Sequence, residues 1–219
     1  MPQRAHGFGR ERGTLEFERV AAFSDAIYAI AMTLLVLEIG VPSLPGNDDS
    51  AREMLDALRD KIPEITSFAI SFFVIGRYWL AHHWLFSRLE RVDRRFMSQN
   101  LFHLGFVAFL PFPTALVGEY EGNPISFVVF ALSMAAVSLT EVVMTDHAER
   151  ADLLRAELSP EARKWGRAAS VFPVVVFLVS IPIAFVSTTS ALLSWLVLSP
   201  IGFFINRRMP PETRAYFEE

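Results

Sequence analysis

Residues 19–39 read RVAAFSDAIYAIAMTLLVLEI. From Val20 to Leu37 there are eighteen residues and one charge, Asp25. That length and apolarity match a helix crossing the roughly 30 Å hydrocarbon core of a bilayer. A lone Asp at that depth costs about 2.5–3.5 kcal/mol on insertion scales, so Asp25 is expected to face protein or water rather than lipid. At about 100° per residue, Ile30, Leu34 and Leu37 share a narrow stripe, and Ala22, Ala26, Ala29 and Thr33 flank it with small side chains. Small residues at this spacing let membrane helices approach closely. Two readings of the stripe stand side by side. It packs or faces lipid, or several copies of the helix surround an axis that the stripe lines.

The rest of the chain has the same character. It is 52% hydrophobic with 20 Phe, and its mean hydropathy is +0.34. This composition is that of an integral membrane protein. There is no cysteine, which excludes disulfides and cysteine-based redox or metal chemistry. Residues 1–18 are polar and charged without an apolar run, which is no cleavable signal peptide; they read as a flexible cytoplasmic tail. No basic stretch is dense enough for nucleic-acid binding.

Five more spans are expected. After Gly40, Pro42, Pro45 and Gly46 break the first helix, Asp48 to Lys61 reads as a short amphipathic helix on the outer surface. Its acidic residues, Asp48, Asp49, Glu53, Asp56 and Asp60, are either a solvated face or a vestibule that attracts cations. Span two covers about Ile62 to Phe86, and span three about Phe96 to Val117, with Pro111 and Pro113 capping or kinking its end. Span four covers about Pro124 to Met144. A charged linker, Asp146 to Arg167, leads to span five, about Ala168 to Val186. After a Ser187–Ser190 turn, span six covers Ala191 to Ile205, and residues 207–219 form a second tail. Sixteen of the twenty Lys and Arg lie in the two tails with Arg19, the 88–95 loop and the 146–167 linker. That asymmetry puts both termini in the cytoplasm.

Topology groups the polar residues by depth. Asp25, His83 and Asn100 each lie five or six residues in from an arginine, which at 1.5 Å per residue is roughly 7–9 Å into the membrane from one side. Trp79 is one turn deeper. A hydrogen-bonded layer of Ser24, Asp25, Trp79, His83 and Asn100 tying spans one, two and three together is the expectation. A metal site from His82, His83 and His103 lacks a recognisable ligand spacing. A proton pathway through Asp25 and His83 is the chemical alternative. Arg77, about 16 Å deep by the same count, needs a partner. Glu38 and Glu141 are available, and the sequence does not choose between them. Unpaired, it would form a cationic ring that weakens cation conduction.

Arg19-Val20-Ala21-Ala22-Phe23-Ser24-Asp25 fits R-x-x-x-F-S-D, and resembles the signature of the endolysosomal potassium channel family, transmembrane protein 175. Residues 78–83 (YWLAHH), Asn100 and residues 109–115 (FLPFPTA) resemble later stretches of that family. The resemblance implies an all-α, six-span channel domain over 19–206, in the single-repeat form of the bacterial members, which assembles as a homotetramer around a central pore in the inner membrane. It implies that Ile30, Leu34 and Leu37 are hydrophobic constriction layers, with Ile30 the narrow gate, and that Thr33 is associated with ion preference. It adds Arg19 and Phe23 to the polar network that holds the pore helix. The activity implied is a weakly selective potassium permeability, with no enzyme chemistry and no cofactor beyond the permeant potassium ion. No T-V-G-Y-G loop is present, so no carbonyl filter of the usual potassium-channel kind is expected.

Overall fold

A computed structural model of the chain describes residues 5–44, 50–156 and 159–195. Among the described residues the regular structure is helical, apart from an isolated bridge between Leu89 and Leu154. The helices are α1 (Ala5–Leu34), continued as a 3₁₀ turn over Leu35–Ile39, α2 (Ala51–Asp60), α3 (Ile62–Arg88), α4 (Arg94–Phe109), α5 (Pro111–Glu119), α6 (Pro124–Arg150), α7 (Pro160–Ala184) and α8 (Thr188–Ser194).

The boundaries follow from capping chemistry. Asp93, Asn123, Ser159 and Ser187 each accept a backbone N–H in the first turn of the helix they precede. In α6 and α7 the cap is followed at once by Pro124 or Pro160. Proline is favourable there because its missing N–H would have no partner anyway and its φ is already helical. Pro111 does the opposite job. It lacks the N–H that would continue α4, and the chain passes through Leu110 into a separate helix, α5. The expected span three is therefore two helical pieces.

Among the described residues four stretches are long and apolar enough to cross a membrane: Phe17–Ile39, Arg94–Glu119, Pro124–Arg150 and Pro160–Ala184. The protein is a multi-pass membrane protein. Helix α3 has the length, 27 residues, but Arg77, His82 and His83 lower its hydropathy. The expected span six and the tail 207–219 lie mostly or wholly outside the described residues, with α8 entering the former. Two expectations change. The segment before Arg19 is helical from Ala5 rather than flexible, since no proline interrupts it and each added residue extends a helix already nucleated. The linker expected over 146–167 is mostly helix ends, because its charges sit where α6 and α7 emerge. There Asp146 bonds both Arg150 on its own helix, at 2.9 Å, and Arg167 on α7, at 2.7 Å.

Helix α6 is the hub, packing on α7, α4 and α5, while α1 packs on α4 and α3. The main core gathers Tyr28, Ile75, Phe127, Phe130, Met134 and Phe177. A second cluster, Leu85, Phe86, Leu89, Phe96, Met144 and Leu153, closes the arginine-rich end. There the 88–93 loop is stitched to the segment after α6 by Glu90 N–H to Leu153 C=O at 2.8 Å and Arg155 N–H to Arg88 C=O at 2.9 Å. At the other end α5 lies so close to α3 that a Cβ on Gly118 would meet Glu64 Cα at 3.0 Å.

Gly118→Ala is expected to lower stability by about 1–3 kcal/mol by forcing α3 off α5, which thermal unfolding in detergent measures. The Asp93 carboxylate accepts from Phe96 N–H at 2.6 Å and lies 3.0 Å from His147 Nε2. The backbone N–H above all, with His147 adding, holds this carboxyl below the usual range. Its stabilisation is then complete above the ordinary aspartate value of about pH 4 and fades as pH falls through the depressed value. Asp93→Ala should cost about 1 kcal/mol at neutral pH, and Asp93→Asn should flatten the acid loss of thermal stability seen in the parent protein.

Candidate pore helix and its polar anchor

Helix α1 has two unlike sides. Ser24, Tyr28, Ala31 and Leu35 are buried, at the four- and three-residue steps that line one face of a helix. Opposite them Ile30, Leu34 and Leu37 are 53%, 41% and 70% exposed, and Ala22, Ala26, Ala29 and Thr33 are exposed beside them. The tightening at Leu35 straightens the stripe. In a 3₁₀ turn residues three apart eclipse each other, so Leu37 stands nearly over Leu34. The Thr33 hydroxyl donates to Ile30 C=O at 2.9 Å, which leaves its lone pairs facing outward.

The buried side is tied down by polar bonds whose proton order can be read. Ser24 O–H donates to Val20 C=O at 2.9 Å, so its oxygen accepts the Asn100 amide N–H at 2.9 Å. Asn100 Oδ1 then accepts from His82 Nε2 at 2.9 Å. Separately, Trp79 Nε1–H donates to Asp25 Oδ1 at 2.9 Å. The expected layer is thus two separate sets, Ser24 with Asn100 and His82, and Asp25 with Trp79, which join α1 to α4 and α3.

His83 does not take the expected place. Its bond to Asn100 is made by His82, and His83 is exposed with its ring centroid 5.6 Å from that of Trp79. Neighbouring positions on a helix point about 100° apart, so one histidine faces the bundle and the other its surface. Counting depth cannot separate them. Arg19 and Phe23 also lie on the exposed side of α1, outside the hydrogen-bonded layer.

A second polar set was not singled out from the sequence. Tyr28 meets His103 Nε2 at 2.6 Å, and His103 Nδ1 lies 2.9 Å from Thr140 Oγ1. The Tyr78 hydroxyl reaches Ser138 Oγ and Met134 C=O on α6. The available signal was Tyr28, one helical turn beyond Ser24 on the same face. Arg77 is exposed on α3, and Glu141, half-buried on α6, is the carboxylate its charge reaches. Glu38, the other candidate, is exposed on the 3₁₀ turn.

Residues 19–111 match the family described as endosomal/lysosomal potassium channel TMEM175. A potassium channel of Streptomyces collinus is 39% identical over 139 residues, covering 62% of this chain and 66% of that protein. A potassium channel of Chamaesiphon minutus is 37% identical over 145 residues, covering 65% and 70%. The endosomal/lysosomal proton channel TMEM175 of Gallus gallus is 34% identical over 110 residues, which span 48% of this chain and 22% of that one. Among solved structures, a lysosomal potassium-selective channel TMEM175 homolog from Chamaesiphon minutus superposes with a TM-score of 0.69 at 30% identity, covering 89% of this chain and 98% of that one. A chain this similar to these proteins belongs to the TMEM175 family.

Proposed function

We propose that this protein is a subunit of a homotetrameric, potassium-permeable channel of the bacterial inner membrane, with six spans and both termini in the cytoplasm. The observation that carries this reading is the division of α1. Its Ser24, Tyr28 and Leu35 face is buried within the protomer, whereas the Ile30, Leu34 and Leu37 stripe with its border of small residues is exposed among the described residues. In lipid such a border favours close approach of helices, and four copies of α1 around an axis place the stripe at the centre. The bacterial relatives described as potassium channels support the ion assignment.

In this arrangement Ile30, Leu34 and Leu37 are stacked apolar constrictions, with Ile30 the narrowest. A permeating ion sheds water to pass them. Potassium gives up its hydration shell more readily than sodium, so modest potassium preference follows without a carbonyl filter. Apolar constrictions also gate by dewetting. The Thr33 lone pairs stand beside the stripe as a weak ligand for a partly dehydrated cation.

A second reading, proton conduction through Asp25 and His83, is favoured by two observations. Asp25 remains exposed at the edge of the bare face with an indole donor on it, and the animal relatives are described as proton channels.

Flux through purified protein in liposomes, under potassium, sodium and proton gradients in turn, tests both. Potassium flux should exceed sodium flux, and Leu34→Ala or Ile30→Ala should raise it about tenfold, equivalent to ~1.4 kcal/mol off the permeation barrier. Unchanged currents in both variants would remove the stripe from the pore. Proton flux alone, abolished by Asp25→Asn, would move the function to the second reading.

A further inference from the structure

The Tyr28, His103 and Thr140 cluster lies on the side of α1 away from the stripe, and its hydrogen atoms can be placed by elimination. Thr140 Oγ1 is 2.8 Å from Val137 C=O and 3.0 Å from Ala136 C=O, so its only proton goes to its own helix. Toward His103 it therefore acts as acceptor, and Nδ1 carries the hydrogen. Nε2 of the neutral ring is then an acceptor, and the Tyr28 hydroxyl donates to it. The chain runs one way: Tyr28 O–H to His103 Nε2, His103 Nδ1–H to Thr140, Thr140 O–H to the α6 main chain. It links α1 through α4 to the hub helix α6. The His82 ring stacks on His103 at 5.5 Å and 13°, and Tyr28 lies 5.4 Å from His82, which fixes the plane of the imidazole.

We propose that this directed chain is a second anchor of the pore-lining helix, with Tyr28, His103 and Thr140 as positioning residues for ion conduction. It is separate from the Ser24–Asn100–His82 bonds and lies one turn further along α1. The inference rests on the pore-helix reading above. The mechanism is a matter of direction. Tyr28 and Ile30 point to nearly opposite sides of α1, about 200° apart. A bond at Tyr28 holds α1 back against α4 and α6, and so holds Ile30 away from the axis. Releasing it lets α1 settle inward and narrows the constriction.

The test compares near-isosteric variants in liposomes. Tyr28→Phe and Thr140→Val should each lower potassium flux about three- to tenfold, the range one interhelical hydrogen bond commands. The double variant should be no lower than the worse single one, because both changes break one chain. Thr140→Ser, which keeps the acceptor, should conduct as the parent does, a rescue that a packing role for the threonine methyl would not produce. All variants should elute at the parent's oligomeric size. Parental flux in both single variants, additive losses in the double, or a Thr140→Ser variant as low as Thr140→Val would overturn the anchor. If the parent passes no ion, the channel reading falls, and amide hydrogen exchange over residues 24–34 decides the anchor alone. Faster exchange in Tyr28→Phe and Thr140→Val upholds it, and parental exchange overturns it.

Discussion

Ser24 Oγ on α1 accepts an amide proton from Asn100 on α4 across 2.9 Å, in a medium that offers neither group another partner. Hydrocarbon neither donates nor accepts, and helix association there relies on packing and hydrogen bonds rather than on release of water. A serine, an asparagine and a histidine in three different spans are tolerable only if each finds the others. The geometry obeys that constraint link by link. His82 donates to Asn100, Asn100 to Ser24, and Ser24 to the carbonyl of Val20. The proton order ends on a main-chain acceptor.

That requirement makes α1 asymmetric. The side that carries Ser24, Tyr28, Ala31 and Leu35 is committed to the protomer, which orients the helix about its own axis and leaves the opposite stripe outward. An exposed isoleucine or leucine on a membrane helix is unremarkable by itself, since lipid covers it at no cost. Its significance comes from the small residues at its borders and from the rigidity of the opposite side. A helix anchored at Ser24, Asp25 and Tyr28 presents Ile30 and Leu34 at a defined angle.

Charges obey the same solvent logic at larger scale. Outside the apolar stretches they pair freely: Asp146 takes two arginines, and Asp93 serves both as helix cap and as partner of His147. Inside, Arg77 is exposed on α3, and its charge reaches the half-buried Glu141 on α6. The arginine lies on the outer surface of α3, a surface that a neighbouring subunit or a lipid headgroup drawn inward would cover.

Much of this was legible in the residues themselves. Apolar runs of the right length placed the long helices, prolines and capping residues placed most of their ends, and R-x-x-x-F-S-D marked the helix on which the rest depends. Depth counting brought Asp25, His83 and Asn100 to one level, with Trp79 one turn deeper, because the bilayer imposes a common ruler on every span. What that ruler lacks is rotation. It assigns a height to each residue but no azimuth, so it could not tell His82 from His83, nor foresee that Tyr28, His103 and Thr140 would line up across three helices. It also could not show that α1 tightens at Leu35. Those outcomes depend on which faces meet when helices pack, a question of shape and proton order across distant parts of the chain. Composition and hydropathy alone determined that this protein crosses the membrane; the packed bundle decided which side of α1 is held and which is left bare.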